Sequence, residues 1–357
     1  MMNNNNVQLL PFRRNTRQRI RQVGTAKPVA TLGDEVSFTL DRVGLLNYLV
    51  LVFRGTINLS SGGAFADLGP WSLIDKVRVD MNIGNMNLVD LSGYSLYQIS
   101  KSLFRGWAPN GAGNFTPNSK VFSAPVASGN NTWVMPLFIP ISANPGSQFD
   151  TGLISLQAPE VQVNVTVRTN SSGAAFVTNF NTASNMTVEL HQCYFEYPDP
   201  RYVMLPPGQI VRSIEVVNPI TATGDNTYTL DRQGQLLQLF STIRANGART
   251  DALDRVRLVA NINDTIYDEL PVMIKMKNEF DYSSPSDTGQ FNIDLWHAGE
   301  NPSAGDDRDV IDTEVLTTIQ LVSTVTSGTT LGSGNNFNNV SRRILVNFAQ
   351  PLAGASI

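Results

Sequence analysis

Apolar residues along this chain recur mostly at every second position, in short runs bounded by Gly, Asn, Pro and Ser. "VQVNVTVRT" and "MTVELHQCYFEY" alternate apolar and polar, as a strand with one buried and one wet face must. "VSFTL", "YLVLVFRGTINL", "DKVRVDMNI" and "TWVMPLFIPI" add strand signals in the first half. "NTYTL", "LLQLFSTIRA", "DRVRLVANI", "FNIDLWHA", "TTIQLVSTV" and "RRILVNFA" do so in the second. Helical spacing is scarce. "LSGYSLYQISKSLFRG" (Leu91–Gly106) puts Leu91, Tyr94, Leu96, Ile99, Leu103 and Phe104 near one face. "LPVMIKMKNEFD" (Leu270–Asp281) sits at a comparable place, after the third strand signal of its half. Many short strands with polar loops predict an all-β chain of antiparallel sandwiches.

The two halves repeat each other. "SFTLDRVGLL" around Thr39 matches "TYTLDRQGQLL" around Thr229, an offset of 190 (229 − 39). "LIDKVRVDMNI" from Leu73 matches "ALDRVRLVANI" from Ala252, an offset of 179 (252 − 73). "FIPISANPGSQFD" is set against "LWHAGENPSAGDD", with Asn144-Pro145 over Asn301-Pro302 at offset 157 (301 − 144). The order is kept while the offset shrinks. Two copies of one fold look this way when the first carries longer loops. Between the copies, "YPDPRYVMLPPGQI" holds Pro198, Pro200, Pro206 and Pro207, which cannot donate to a ladder, and it reads as a stiff connector. The expected organisation is a basic arm over 1–32, a first sandwich over 33–197, the connector over 198–207, a second sandwich over 208–350 and a tail over 351–357.

Length and composition fit this picture. The chain has 357 residues, room for two cores. Charged residues make up 16%, against roughly 25% for an ordinary soluble domain. A polar but weakly charged surface has little self-repulsion and suits association. The net charge of −4 argues against general nucleic-acid binding, and no sequence-specific nucleic acid is expected as a partner. Cys193 is the single cysteine, so no intrachain disulfide forms. The N-terminal stretch lacks a signal-peptide pattern, and no apolar run nears the roughly 18 residues of a spanning helix. A soluble protein made in a cytoplasm is the expectation. Asn58, Asn164 and Asn185 head Asn-x-Ser/Thr triplets that this composition produces by chance.

Catalytic chemistry has little support. His191 and Cys193 lie two apart on a strand signal, and His297 is in the other half, which is no zinc pattern. "GDDRD" (Gly305–Asp309) lacks the spaced ligand series of a calcium loop. Gly332–Asn336 lacks the Lys-Ser/Thr that follows a phosphate-binding loop. Trp71, Trp107, Trp133 and Trp296 suit packing better than a sugar platform, and Trp133 and Trp296 fall on corresponding stretches of the copies. No catalytic, cofactor-binding or metal-binding residue is assigned.

The arm is the most distinctive segment. Arg13, Arg14, Arg17, Arg19 and Arg21 crowd together, and no acid precedes Asp34. Arg13, Arg17 and Arg21 share a face if the stretch is helical, with Leu9, Leu10, Phe12, Ile20 and Val23 as apolar surface. An anionic lipid surface suits such a segment, each base contributing about 1 kcal/mol. Inter-subunit use, a solvated tail and contact with packaged DNA are the alternatives.

The succession "FTLDRVGLLNYLVLVFRGTI", "FADLGPWSLIDKVRVD", "GYSLYQISKSLFRG", "MPLFIPIS" and the strap "MLPPGQ" resembles the major capsid proteins of tectiviruses, tailless icosahedral phages with a membrane inside the shell. The Leu-Gly-Pro that leads into "LIDKVRVD" is the most specific local likeness, and the resemblance runs from about Val36 to the C-terminus. It implies a double jelly roll of two eight-stranded sandwiches and a homotrimer of pseudo-hexagonal outline that tiles an icosahedral shell. It also implies an N-terminal helix under the shell, close to internal membrane lipids. Neighbouring trimers, penton proteins and minor capsid proteins would be the other partners. The location implied is the virion capsid, after synthesis in the host cytoplasm, and no enzymatic activity is implied. The rival is a tandem jelly-roll carbohydrate-binding protein or glycan-acting enzyme, which calls for acids clustered with aromatics in a cleft.

Overall fold

The computed structural model describes residues 10–11, 16–104, 128–143, 145, 151–196, 203–204, 209–282, 286–298 and 309–345. The first half contains β1 (Gln18–Gln22), β2 (Lys27–Val29), β3 (Glu35–Thr39), β4 (Leu45–Leu59), β5 (Ile74–Met81) and β6 (Met86–Leu91). Helix α1 (Gly93–Leu103), β7 (Gly129–Pro140), β8 (Val163–Thr169) and β9 (Phe180–Phe195) complete it. The second half contains β10 (Ile210–Pro219), β11 (Gly224–Thr229), β12 (Gln235–Ala245), β13 (Leu253–Ala260) and β14 (Asp264–Glu269). It ends with α2 (Pro271–Tyr282), β15 (Gln290–Asp294), β16 (Ile319–Val325) and β17 (Asn336–Leu345). Both expected helices are present, each shorter than or shifted slightly from its sequence bounds.

Each half is a two-sheet jelly roll. In the first, β1-β9-β4-β7 faces β3-β8-β5-β6; in the second, β10-β17-β12-β15 faces β11-β16-β13-β14. The strand alternation explains the cores. Leu49, Leu51, Phe53 and Ile57 of β4 point inward onto Val77, Val79, Val165 and Val167 of the facing sheet, beside Leu190 of β9. Leu239, Ile243, Leu258, Ile293, Leu321 and Phe337 fill the second core. Full burial of each such side chain contributes about 1.5–3 kcal/mol.

The repeat holds residue for residue at its first two match points. Thr39 faces Asn164 and Thr229 faces Gln320. The next amides do the same thing: Leu40 N donates to Val163 O and Leu230 N to Ile319 O, both at 2.9 Å. Val77 pairs with Val167, which faces Val36; Val256 pairs with Ser323, which faces Asn226. Even the β-bulges correspond, with Asn47 skipped in β4 and Leu237 skipped in β12. The third match is corrected. Ile141 N donates to Asn47 O and Leu295 N to Leu237 O, so the strand offset is 154 (295 − 141), three less than 157. Asn144, Asn301 and Pro302 lie outside the described residues. Trp133 and Trp296 therefore do not correspond. The slip arises because β7 and β15 differ in length, 12 residues against 5, and share almost no side chains, so the Asn-Pro pairs in the following loops drew the alignment.

The arm is also corrected. β1 pairs antiparallel with β9, from Gln18 opposite Phe195 to Gln22 opposite His191, and β2 continues the pairing at Met186–Val188. Residues 18–29 are thus strands of the first jelly roll, ahead of the expected start at 33. They do along β9 what β10 does along β17. No helix forms over residues 17–21, so Arg17 and Arg21 do not share a helical face. The open edge of β9 pairs their backbone instead. Arg13 and Arg14 lie outside the described residues.

The two rolls share a sheet. β6 and β10 pair in parallel, Val89 opposite Ser213 and Asp90 opposite Ile214, so one sheet runs from the first roll into the second. Of the connector, Val203–Met204 is described, paired in parallel with Leu10–Pro11. The rest of 198–207, the tail 351–357 and Trp107 lie outside the described residues.

Candidate assembly surfaces

Helix α1 projects from the first roll onto the outer face of β12 and β15. Ser92 caps it, accepting from Ser95 N at 3.3 Å, and Glu215 of β10 holds that cap by accepting from Ser92 N at 2.5 Å and Ser95 Oγ at 2.9 Å. Tyr94, Gln98 and Ser102, spaced four apart, then meet the second roll. Gln98 Nε2 donates to Asn292 Oδ1 at 2.7 Å and Ser241 O at 3.1 Å, and its Oε1 accepts from Thr242 at 3.0 Å. Gln290 donates to Tyr94 OH at 3.0 Å, and Asn292 to Ser102 Oγ at 3.3 Å. Beside them Lys101 pairs with Asp287 at 3.1 Å. Burial pushes the Tyr94 and Tyr97 phenols well above their ordinary range, so they stay protonated.

Arg342 and Arg343 in β17 are buried cations that the strand reading of "RRILVNFA" missed. Arg342 donates to Ser142 O at 2.9 Å and Ala143 O at 3.1 Å in the first roll, and to Gln238 Oε1 at 2.5 Å in the second. Burial pulls its pKa down to about 10, so it remains charged near neutrality and ties the two rolls together. Nothing in a hydropathy pattern separates such an arginine from a surface one.

The positions equivalent to this internal contact carry apolar side chains that are exposed or half-buried, and Phe138 among them stacks on Phe104 of its own chain with ring centroids 4.4 Å apart. On α2, Val272, Met276 and Phe280 are 60%, 59% and 85% exposed. On the outer face of the first roll, Val50, Val52, Pro136 and Phe138 are half-buried, and Ile20 is exposed.

The other sequence candidates do not converge. Arg19 pairs with Glu196 at 2.8 Å and Arg21 with Asp41 at 2.9 Å, while Arg17 is exposed. The arginines of β1 therefore have anionic partners within the chain, although no acid precedes Asp34 in the sequence. His191 lies 3.6 Å from Glu189. Cys193 is fully buried, and burial pushes its thiol up, away from the reactive thiolate. His297 meets Asp309 at 2.7 Å; the remainder of the acidic loop, 305–308, is outside the described residues. Asn335 ties the Gly332–Asn336 turn to Gly332 O and to Asn246 N. Trp71 stacks on Tyr97, Trp133 stacks on Phe53, and Trp296 packs in the seam with Leu237 and Ile344. Among the described residues no group of three or more His, Cys, Asp or Glu is placed to hold a metal ion. A cavity of about 110 Å³ beside Arg212, Asp231 and Arg343 is well below the roughly 300 Å³ of a ligand pocket.

No protein-family model matches the chain, and no curated protein matches it. Solved structures do. The major capsid protein of Sulfolobus turreted icosahedral virus is similar over 93% of this chain and 98% of its own, with TM-score 0.69 and 12% identity. The PBCV-1 virus capsid is similar over 92% and 94%, with TM-score 0.63 and 13% identity. The major capsid protein of bacteriophage PM2 is similar over 94% and 100%, with TM-score 0.56 and 11% identity. The chain has the double jelly-roll fold of these viral capsid proteins.

Proposed function

We propose that this protein is the major capsid protein of an icosahedral virus that carries a lipid membrane inside its shell. It works as a homotrimer of pseudo-hexagonal outline, placed in the virion capsid after synthesis in the host cytoplasm. One observation carries the reading: two jelly rolls of matching register stand side by side on one continuous sheet. Three such chains present six similar barrels, a shape that packs a facet on all sides. Low surface charge suits a lattice of close neighbours, with penton and minor capsid proteins at its vertices and seams. The basic residues ahead of β1 would face the membrane lipids.

The chemistry of the described residues supports a structural role. The single thiol is buried and neutral, and Trp71, Trp133 and Trp296 are packed inward, away from any sugar. Electron micrographs of the purified protein test the reading. Threefold averages with a hexagonal outline are expected; a population of two-lobed single chains would overturn it.

A further inference from the structure

The register relates each contact of α1 to a position on α2. Val77 pairs with Leu91 and Val256 with Glu269, so the helices that follow correspond at offset 178 (269 − 91). Leu96 and Ile274, both buried against their own rolls, fall at the same place. Tyr94, Gln98 and Ser102 then correspond to Val272, Met276 and Phe280. These three side chains of α1 bond the second roll, and their counterparts are three of the four exposed apolar residues of α2, Met273 being the fourth.

The sheet faces correspond in the same way. Phe240 pairs with Asn292 and Thr242 with Gln290 in the second roll; Val50 pairs with Phe138 and Val52 with Pro136 in the first. The helix side of the contact inside the chain, Tyr94, Gln98 and Ser102, is polar and bonds Thr242, Asn292 and Gln290, with Phe240 buried beside them among first-roll residues. The equivalents on α2 and on the first roll's outer face are apolar. Helix and sheet have changed character together, which matches two surfaces that meet each other and not water.

We propose that α2 of one chain docks on the outer face of β4 and β7 of a second copy, repeating between chains the contact α1 makes within one. The proposal rests on the trimeric reading and assigns its interface. The step from first roll to second is taken inside the chain. The same step onward from the second roll reaches a first roll, which belongs to the next chain. Such a head-to-tail contact closes into a ring of six barrels with three chains. The internal contacts give the pairs: Met276 against Val52 and Val272 against Pro136, with Phe280 beside the Phe104–Phe138 stack.

The test uses the full chain. Met276→Asp with Phe280→Asp changes exposed residues, so the melting temperature of the isolated chain should stay near that of the parent. Truncating central apolar anchors should weaken association roughly 100-fold or more, leaving single chains where the parent is trimeric. In a separate variant, Val52→Cys with Met276→Cys should cross-link on mild oxidation into two- and three-chain species, and neither single substitution should. A trimeric parent whose Asp variant stays trimeric and whose double-cysteine variant stays uncrosslinked overturns this interface and leaves the capsid reading standing. Cross-linking by Met276→Cys alone, helix to helix, also overturns it. A parent that is itself a single chain removes the trimeric reading as well.

Discussion

Gly44 and Gly234 occupy the same point of the two jelly rolls, just before the strand whose bulge is shared. Both have positive φ, +61° and +70°. A Cβ on Gly44 would lie 2.1 Å from Phe195 O, and one on Gly234 would lie 2.0 Å from Ile344 O. Each backbone passes so close to the last strand of its own roll that only hydrogen fits. Alanine at either position should cost at least about 1–3 kcal/mol, by strain plus displacement of a ladder carbonyl. Gly224→Ala, at positive φ but in open space, should cost less. Thermal denaturation of the three variants checks the order.

That glycine is the reason the Thr-Leu-Asp-Arg-x-Gly entrance was legible twice. The motif states a backbone requirement that strand composition cannot disguise, and the Val77 and Val256 strands share their charges as well as their pleat. The arm was misread for the opposite reason. All five residues of β1, "QRIRQ", are exposed, so no apolar period marked a strand and the arginine spacing suggested a helix. The contact between the rolls was hidden because its residues, Tyr94, Gln98, Arg342 and Arg249, which donates to Tyr94 OH at 2.8 Å, carry polar groups. Their burial follows from the juxtaposition of two rolls, which no local pattern records.

Arg342 should be among the costliest single positions. Arg342→Ala leaves Gln238 Oε1 and the carbonyls of Ser142 and Ala143 without their donor inside the seam. A loss of about 3 kcal/mol or more is expected, and Arg342→Lys should recover only part because an ammonium cannot span the same fork. Calorimetry of both variants measures this, and an unchanged transition in Arg342→Ala would show that the seam does not depend on it.

The arginines should separate stability from lipid binding. Arg19→Gln and Arg21→Gln break pairs whose partners are exposed or half-exposed, so each should change stability by less than about 1 kcal/mol. Replacing Arg13, Arg14, Arg17, Arg19 and Arg21 together by Gln should greatly reduce flotation with anionic liposomes, and parental flotation should fall as salt rises. Undiminished flotation of the substituted protein would leave the arm with an inter-subunit role alone.

Acid should loosen the β11–β16–β13 region. The Thr324 hydroxyl and then the Arg257 guanidinium hold the Asp225 carboxyl below its ordinary value of 3.8, at 2.6 Å and 2.5 Å. Its folded pKa is depressed, so its stabilisation is present above pH 3.8 and fades as pH falls through the lowered value. Asp225→Asn should therefore melt below the parent at pH 6, and the gap should narrow as pH drops toward 2. A gap that stays constant with pH would mean the carboxylate contributes nothing through its charge.

The mass of the purified full-length protein in solution bears most directly on the central claim, because the six-barrel outline requires three chains. Native mass spectrometry should give a species of three 39.0 kDa chains at micromolar concentration. A mass of one chain that persists as concentration is raised would contradict the account.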